Sequence, residues 1–197
     1  MIRGALVGMI SLLAAGVASE PLAPEPLPPV AAPGPKAGSV DLRGTVHIAT
    51  RGDRECDPSR WCGTRGRGLA LEGLTLELVD PPKGLELEYL CHTQDQGDTG
   101  WLPAGSLCGS RGQARRLEGV ALRLVGPRAS SYSVVYDCHL HLLGDQGWHR
   151  DGELCGTRGQ ARALEALLVL IERRSAPAST PPPAPPSEPD GARPVER

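Results

Sequence analysis

Six cysteines and five histidines are the residues of this chain best equipped for chemistry. Three of the histidines, His47, His92 and His139, recur at matching places, and a three-histidine metal site is the sharpest chemistry they could support. Each sits beside Val46, Cys91 or Cys138 on an alternating strand, so that neighbour faces the core and the histidine faces away, at a separate place. A local hydrogen bond is therefore the expected role, and no metal site is expected. Cysteine-held zinc fails on spacing, because no Cys-x-x-Cys occurs. His141 and His149 have no counterparts.

Arg65, Arg111 and Arg158 each precede a glutamate, Glu72, Glu118 or Glu165, by seven residues. That spacing suits a salt bridge between a turn and the strand that follows it. A general acid with a carboxylate partner is the enzymatic alternative, but chemistry needs one asymmetric site and these groups recur threefold. No nucleophile elbow, phosphate loop or metalloprotease helix is visible. The chain is expected not to be an enzyme and to need no cofactor.

Binding is the remaining chemistry. Trp101 and Trp148 could offer stacking faces to sugars, although a repeated tryptophan is more readily read as core, which is the expectation for these two. The copies differ most in the polar stretches RGDRECDPSR, TQDQGDTGW and LLGDQGWHRD, where specificity should reside. The candidate ligand-binding residues are Trp101, Trp148, Asp98, Asp145, Gln146, His92 and His139.

These residues are positioned by an internal repeat. Sliding the chain by 47 residues lays Cys91, His92, Trp101, Cys108 and Gln113 on Cys138, His139, Trp148, Cys155 and Gln160; sliding by 46 lays CGTRGRGLALEGLTLEL from Cys62 on CGSRGQARRLEGVALRL from Cys108. A first copy, most diverged, thus precedes two near duplicates. Each copy opens with period-two alternation, as in Leu85, Leu87, Tyr89, Cys91 or Tyr132, Val134, Tyr136, Cys138. Each closes on a second apolar alternation: Leu74, Leu76, Leu78; Val120, Leu122, Leu124; Leu167, Val169, Ile171. QARALEALLVLIERR alone resembles a helix, but its equivalents contain Gly73, Thr75, Gly119 and Val120, so a strand is predicted in all three. Leu71 and Leu74 are out of phase, which predicts a β-bulge at the Glu-Gly or Glu-Ala pair.

No single copy could close a core alone. The predicted fold is all-β and disulfide-stapled: three sequence repeats sharing one core with pseudo-threefold symmetry, as a β-prism or, alternatively, a β-trefoil. Repeat symmetry pairs Cys91 with Cys108 and Cys138 with Cys155, leaving Cys56 for Cys62. The predicted organisation is a signal peptide over 1–19, a proline-rich linker over 20–38, the repeat domain over 39–173 (copies 39–79, 85–125 and 132–172), and a disordered proline-rich tail over 174–197. A charged start, a short apolar run and small residues before Glu20 imply export, secreted, periplasmic or at the cell surface. No later segment would span a membrane. A net charge of -2 gives no basic field for nucleic acid.

A strand ending in His, then Gly-Trp, then Gly-Thr/Ser-x-Gly-Gln-x-Arg, then Leu-Glu before a closing strand resembles the clostridial hydrophobic W (ChW) repeat. His92, Gly100, Trp101, Gly109, Gly112, Gln113, Arg115, Leu117 and Glu118 carry the resemblance, with their partners in the third copy. The first copy matches from Cys62 onward, with Arg54 and Glu55 in place of Gly-Trp and Arg67 in place of Gln. The resemblance implies a bacterial exported or cell-surface module for adhesion, binding a polysaccharide or a surface protein. The expected function is a non-catalytic binding module; the alternatives are a small secreted hydrolase or inhibitor-like protein, or a purely structural envelope protein.

Overall fold

The computed structural model describes residues 38–175. The predicted signal peptide, and nearly all of the two proline-rich segments, lie outside the described residues. The first copy forms β1 (Leu42–Ile48), β2 (Gly52–Cys56), β3 (Cys62–Gly63) and β4 (Leu71–Leu78). The second forms β5 (Glu86–Thr93), β6 (Gly97–Asp98), β7 (Leu102–Pro103), β8 (Cys108–Gly109) and β9 (Leu117–Val125). The third follows a single 3-10 turn (Ala129–Ser131) with β10 (Tyr132–Leu140), β11 (Gly144–Asp145), β12 (His149–Arg150), β13 (Cys155–Gly156) and β14 (Leu164–Arg173). Among the described residues there is no α-helix, so the fold is all-β, and β14 is a strand despite its helix-favouring composition. Pairing along the whole of β10 and burial of both faces over most of its length outweigh the intrinsic preference of its Ala, Leu and Glu residues.

In each copy the opening and closing strands pair antiparallel in the same register, with Val46 opposite Leu74, Cys91 opposite Val120 and Cys138 opposite Leu167. The predicted bulge is present in all three. His47 faces Gly73 while Ile48 faces Leu71, so Glu72 is the extra residue, and Glu118 and Glu165 are extra in the same way. Beyond the bulge the alternation changes phase, which lets Leu71 and Leu74, three residues apart, both point inward and be fully buried.

Each sheet is completed by a strand from another copy. β8 of the second copy pairs with β4 of the first, β13 of the third pairs with β9 of the second, and β3 of the first pairs with β14 of the third. The exchange therefore closes on itself. It requires glycine at one position per copy. Gly63, Gly109 and Gly156 have φ of +117°, +95° and +133°, and a Cβ on any of them would run into the backbone carbonyl of Glu165, Glu72 or Glu118 across the junction.

The three disulfides are those predicted, Cys56–Cys62, Cys91–Cys108 and Cys138–Cys155. Because Cys62, Cys108 and Cys155 lie on the donated strands, every disulfide joins two different sheets. A single apolar cluster includes Leu74 and Leu76, Val120 and Leu122, and Leu167 and Val169, so the copies share one core. Two tyrosines at equivalent positions reach across the junctions. The Tyr89 hydroxyl donates to the Ser106 carbonyl and accepts the Leu76 N–H of the first copy at 3.4 Å. The Tyr136 hydroxyl donates to the Glu153 carbonyl and meets the Leu122 backbone of the second copy.

The first copy has Gly44 at this position, and Pro58 takes the place of the ring. Pro58 is buried, with its Cγ 3.1 Å from where a Gly44 Cβ would stand. Its carbonyl accepts the Val169 N–H of the third copy at 2.7 Å, completing the set of cross-junction bonds.

Candidate functional site

The recurring polar residues meet at the junctions between copies. His47, His92 and His139 stand near the ends of β1, β5 and β10, and each ring Nδ1 lies within 2.6, 2.7 and 2.6 Å of an aspartate, Asp53, Asp98 or Asp145. Each aspartate sits on the strand that turns back against its own histidine. Its carboxylate also receives an arginine from the next copy: Arg111 reaches Asp53 at 3.0 Å, Arg158 reaches Asp98 at 2.8 Å, and Arg65 pairs with Asp145. The sequence-based pairing of these arginines with Glu72, Glu118 and Glu165 is therefore corrected. The turns that carry the arginines are donated to another copy's sheet, which places them over that copy's aspartate instead of their own glutamate.

The arrangement perturbs the acids. A hydrogen bond from His47, and another from Arg111, hold Asp53 below the ordinary carboxylate range. Asp98 is lowered first by Arg158 and then by His92, and Arg158 is raised in turn by Asp98. At the third aspartate the tautomer is fixed, because the Gly66 N–H donates to His139 Nε2 at 3.0 Å. The ring proton therefore sits on Nδ1 and is donated to Asp145. The displaced glutamates of the bulges lie beneath these groups and are buried. Glu165 accepts from His141 Nδ1 at 2.7 Å and from the Arg67 N–H at 3.3 Å; Glu118 accepts from Arg116 at 2.7 Å; Glu72 lies 3.8 Å from His47 Nε2.

Of the sequence-predicted binding residues, the structure brings together His92 with Asp98 and His139 with Asp145. It keeps these two pairs at different junctions and commits both to joining copies. Gln146 is held locally: its N–H donates to Asp137 at 3.1 Å and its side-chain amide donates to the Gly144 carbonyl at 2.9 Å. Asp137 is itself pushed upward by burial. Trp101 and Trp148 are not in the core, contrary to expectation. Both are half-buried on the outside, with the Arg123 guanidinium 4.1 Å from the Trp101 ring centroid. The inward positions of β5 and β10 are held by the fully buried Tyr89 and Tyr136.

Sequence reasoning missed Asp53 as a partner. The signal was available: histidine, four residues, then Gly-Asp occurs in HIATRGD, HTQDQGD and HLHLLGD, and so in all three copies. It also missed Trp61, which lies under Arg65 at 4.6 Å.

The clostridial hydrophobic W family model matches residues 92–126 and 139–172. No curated protein and no solved structure matches the chain. Among the described residues no helix is long and apolar enough to cross a membrane.

Proposed function

We propose that this chain, which carries two tandem clostridial hydrophobic W repeats, is an exported, non-catalytic binding module for a cell-envelope ligand, a glycan or a surface protein. The family match is the observation that carries the reading, since these repeats make up modules of surface or secreted proteins. Three disulfides fit an oxidising, extracellular location. The chemistry of the recurring residues fits as well. Histidine, aspartate and arginine are satisfied by one another across the junctions, which makes them joints of a scaffold and leaves recognition to surfaces that differ between copies. In this reading the strand exchange makes a pseudo-threefold body of the β-prism kind, with a third, diverged repeat over 39–79.

The test is a glycan array together with a pull-down from cell envelope, both with the folded, disulfide-bonded chain. Saturable capture of one envelope component is expected. Blank results in both would refute the proposal.

A further inference from the structure

The three sheets differ in how their outer faces are covered. In the second copy that face carries Glu88, Leu90, Ala121 and Arg123, and Trp101 lies against it on Arg123. Ala121 points away from the core and is nevertheless 3% exposed. In the third copy Val135 and Leu168, also outward, are 2% and 4% exposed, and β12 pairs with β10 there, with Arg150 opposite Val135. The first copy has Arg43, Thr45, Thr75 and Glu77 at these places. Its β2 continues unbroken where the Gly-Trp segment would cross, and Glu55, opposite Thr45, stands where the tryptophan would be.

The uncovered face is a groove of about 680 Å³ lined by Arg43, Thr45, Glu55, Asp57, Thr75 and Glu77. A second hollow of about 450 Å³ shares Glu77 and continues past Glu86 and Glu88. Arg43 is neutralised by Glu77, and Glu88 by Arg123. Five carboxylates thus stand against three guanidinium groups, those of Arg43, Arg123 and Arg60, the last 4.0 Å from Asp57, an excess of two negative charges along one trough. Asp57 accepts hydrogen bonds from Ser59 within its own turn. Glu55 and Glu86 are not engaged in any side-chain hydrogen bond or ion pair shown for the described residues.

We propose that this uncovered sheet face docks an extended polypeptide segment of a partner bearing lysine or arginine side chains. The inference rests on the binding-module reading and names the partner's chemistry. Charge complementarity selects the occupant: an ammonium or guanidinium group can meet the free carboxylates, while the threonine hydroxyls accept or donate to a backbone laid over them. A sugar would find no aromatic plane here, and an anionic glycan would be repelled.

The test is fluorescence anisotropy of a labelled oligolysine peptide with the folded chain, alongside Glu55→Lys and Glu86→Lys. Neither side chain supports the fold, so both variants should keep the native thermal transition. Binding is expected at low salt and should weaken steeply as salt is added. Each reversal should weaken it by about tenfold at low salt. Absence of oligolysine binding, or binding indifferent to both reversals, would overturn the proposal. Loss of a neutral glycan's binding in the same variants would overturn the ligand class. If the doubly reversed chain still captured its envelope component with unchanged affinity, this site would fall and the binding-module reading would stand.

Discussion

Removing single disulfides should rank the junctions by loop length. Cys138–Cys155 closes a separation of 17 residues and Cys56–Cys62 one of 6. Chain-entropy arithmetic gives about 3 kcal/mol for the longer loop and about 2 kcal/mol for the shorter. For a domain of this size about 4 °C of melting temperature accompanies each kcal/mol, so the losses should be about 12 °C and about 8 °C. The variants are Cys138→Ala with Cys155→Ala, and Cys56→Ala with Cys62→Ala, compared by calorimetry and by urea unfolding under non-reducing conditions. Each pair links two sheets, and Cys138, Cys155 and Cys62 are all buried, so the difference between variants should come chiefly from the loops. If the short-loop variant lost as much stability as the long-loop one, or if neither lost any, the constraint would not be acting on the unfolded chain and this reasoning would be wrong.

Other consequences follow from the junctions. Gly109→Ala would drive a Cβ into the Glu72 carbonyl and to 2.7 Å from Leu117 Cδ2, at a φ of +95°; a loss of about 3 kcal/mol is expected by chemical denaturation, and a loss below 1 kcal/mol (roughly the size of an ordinary surface change) would contradict the close approach. Arg158→Ala should cost only about 0.5 kcal/mol at neutral pH, since its pair with Asp98 is half-exposed. Asp98 is held below its ordinary value of 3.8. Its contribution is therefore complete above about pH 4 and is lost as pH falls through the lower folded value, so Asp98→Asn should flatten the acid limb of a stability profile. Tyr136 is raised to about 12, chiefly by burial. The unfolded chain would ionise it near 10, so this contribution is full below about pH 10 and is lost as pH rises through about 12. Absorbance titration near 295 nm, roughly the phenolate band, should show it still neutral at about pH 11, and early ionisation there would contradict its burial.

Much of the fold was legible because the signals involved are local or repeated. Alternation named the opening and closing strands, Leu71 and Leu74 betrayed the bulge, and the repeat paired the cysteines. The misreadings concern long-range packing: which copy a group contacts, and which aromatic fills the core. Spacing along the chain matches Arg65, Arg111 and Arg158 to glutamates near in sequence, whereas strand exchange carries them to aspartates on another copy; the pairs span 80, 58 and 60 residues. Large repeated aromatics usually belong to the core, yet Trp101 and Trp148 are only half-buried. The smaller Tyr89 and Tyr136 hold that place instead, since their hydroxyls can satisfy backbone groups of the neighbouring copy. The groove of the first copy depends on what Gly44, Thr45 and Glu55 fail to cover, and only packing exposes that.

The central claim, that the folded, disulfide-bonded chain is a binding module for a cell-envelope ligand, is tested most directly by titrating isolated cell envelope with the native chain and with the same chain reduced and alkylated. Saturable binding by the native chain, lost after reduction, is the expected result. No saturable binding, or equal binding by the reduced chain, would contradict it.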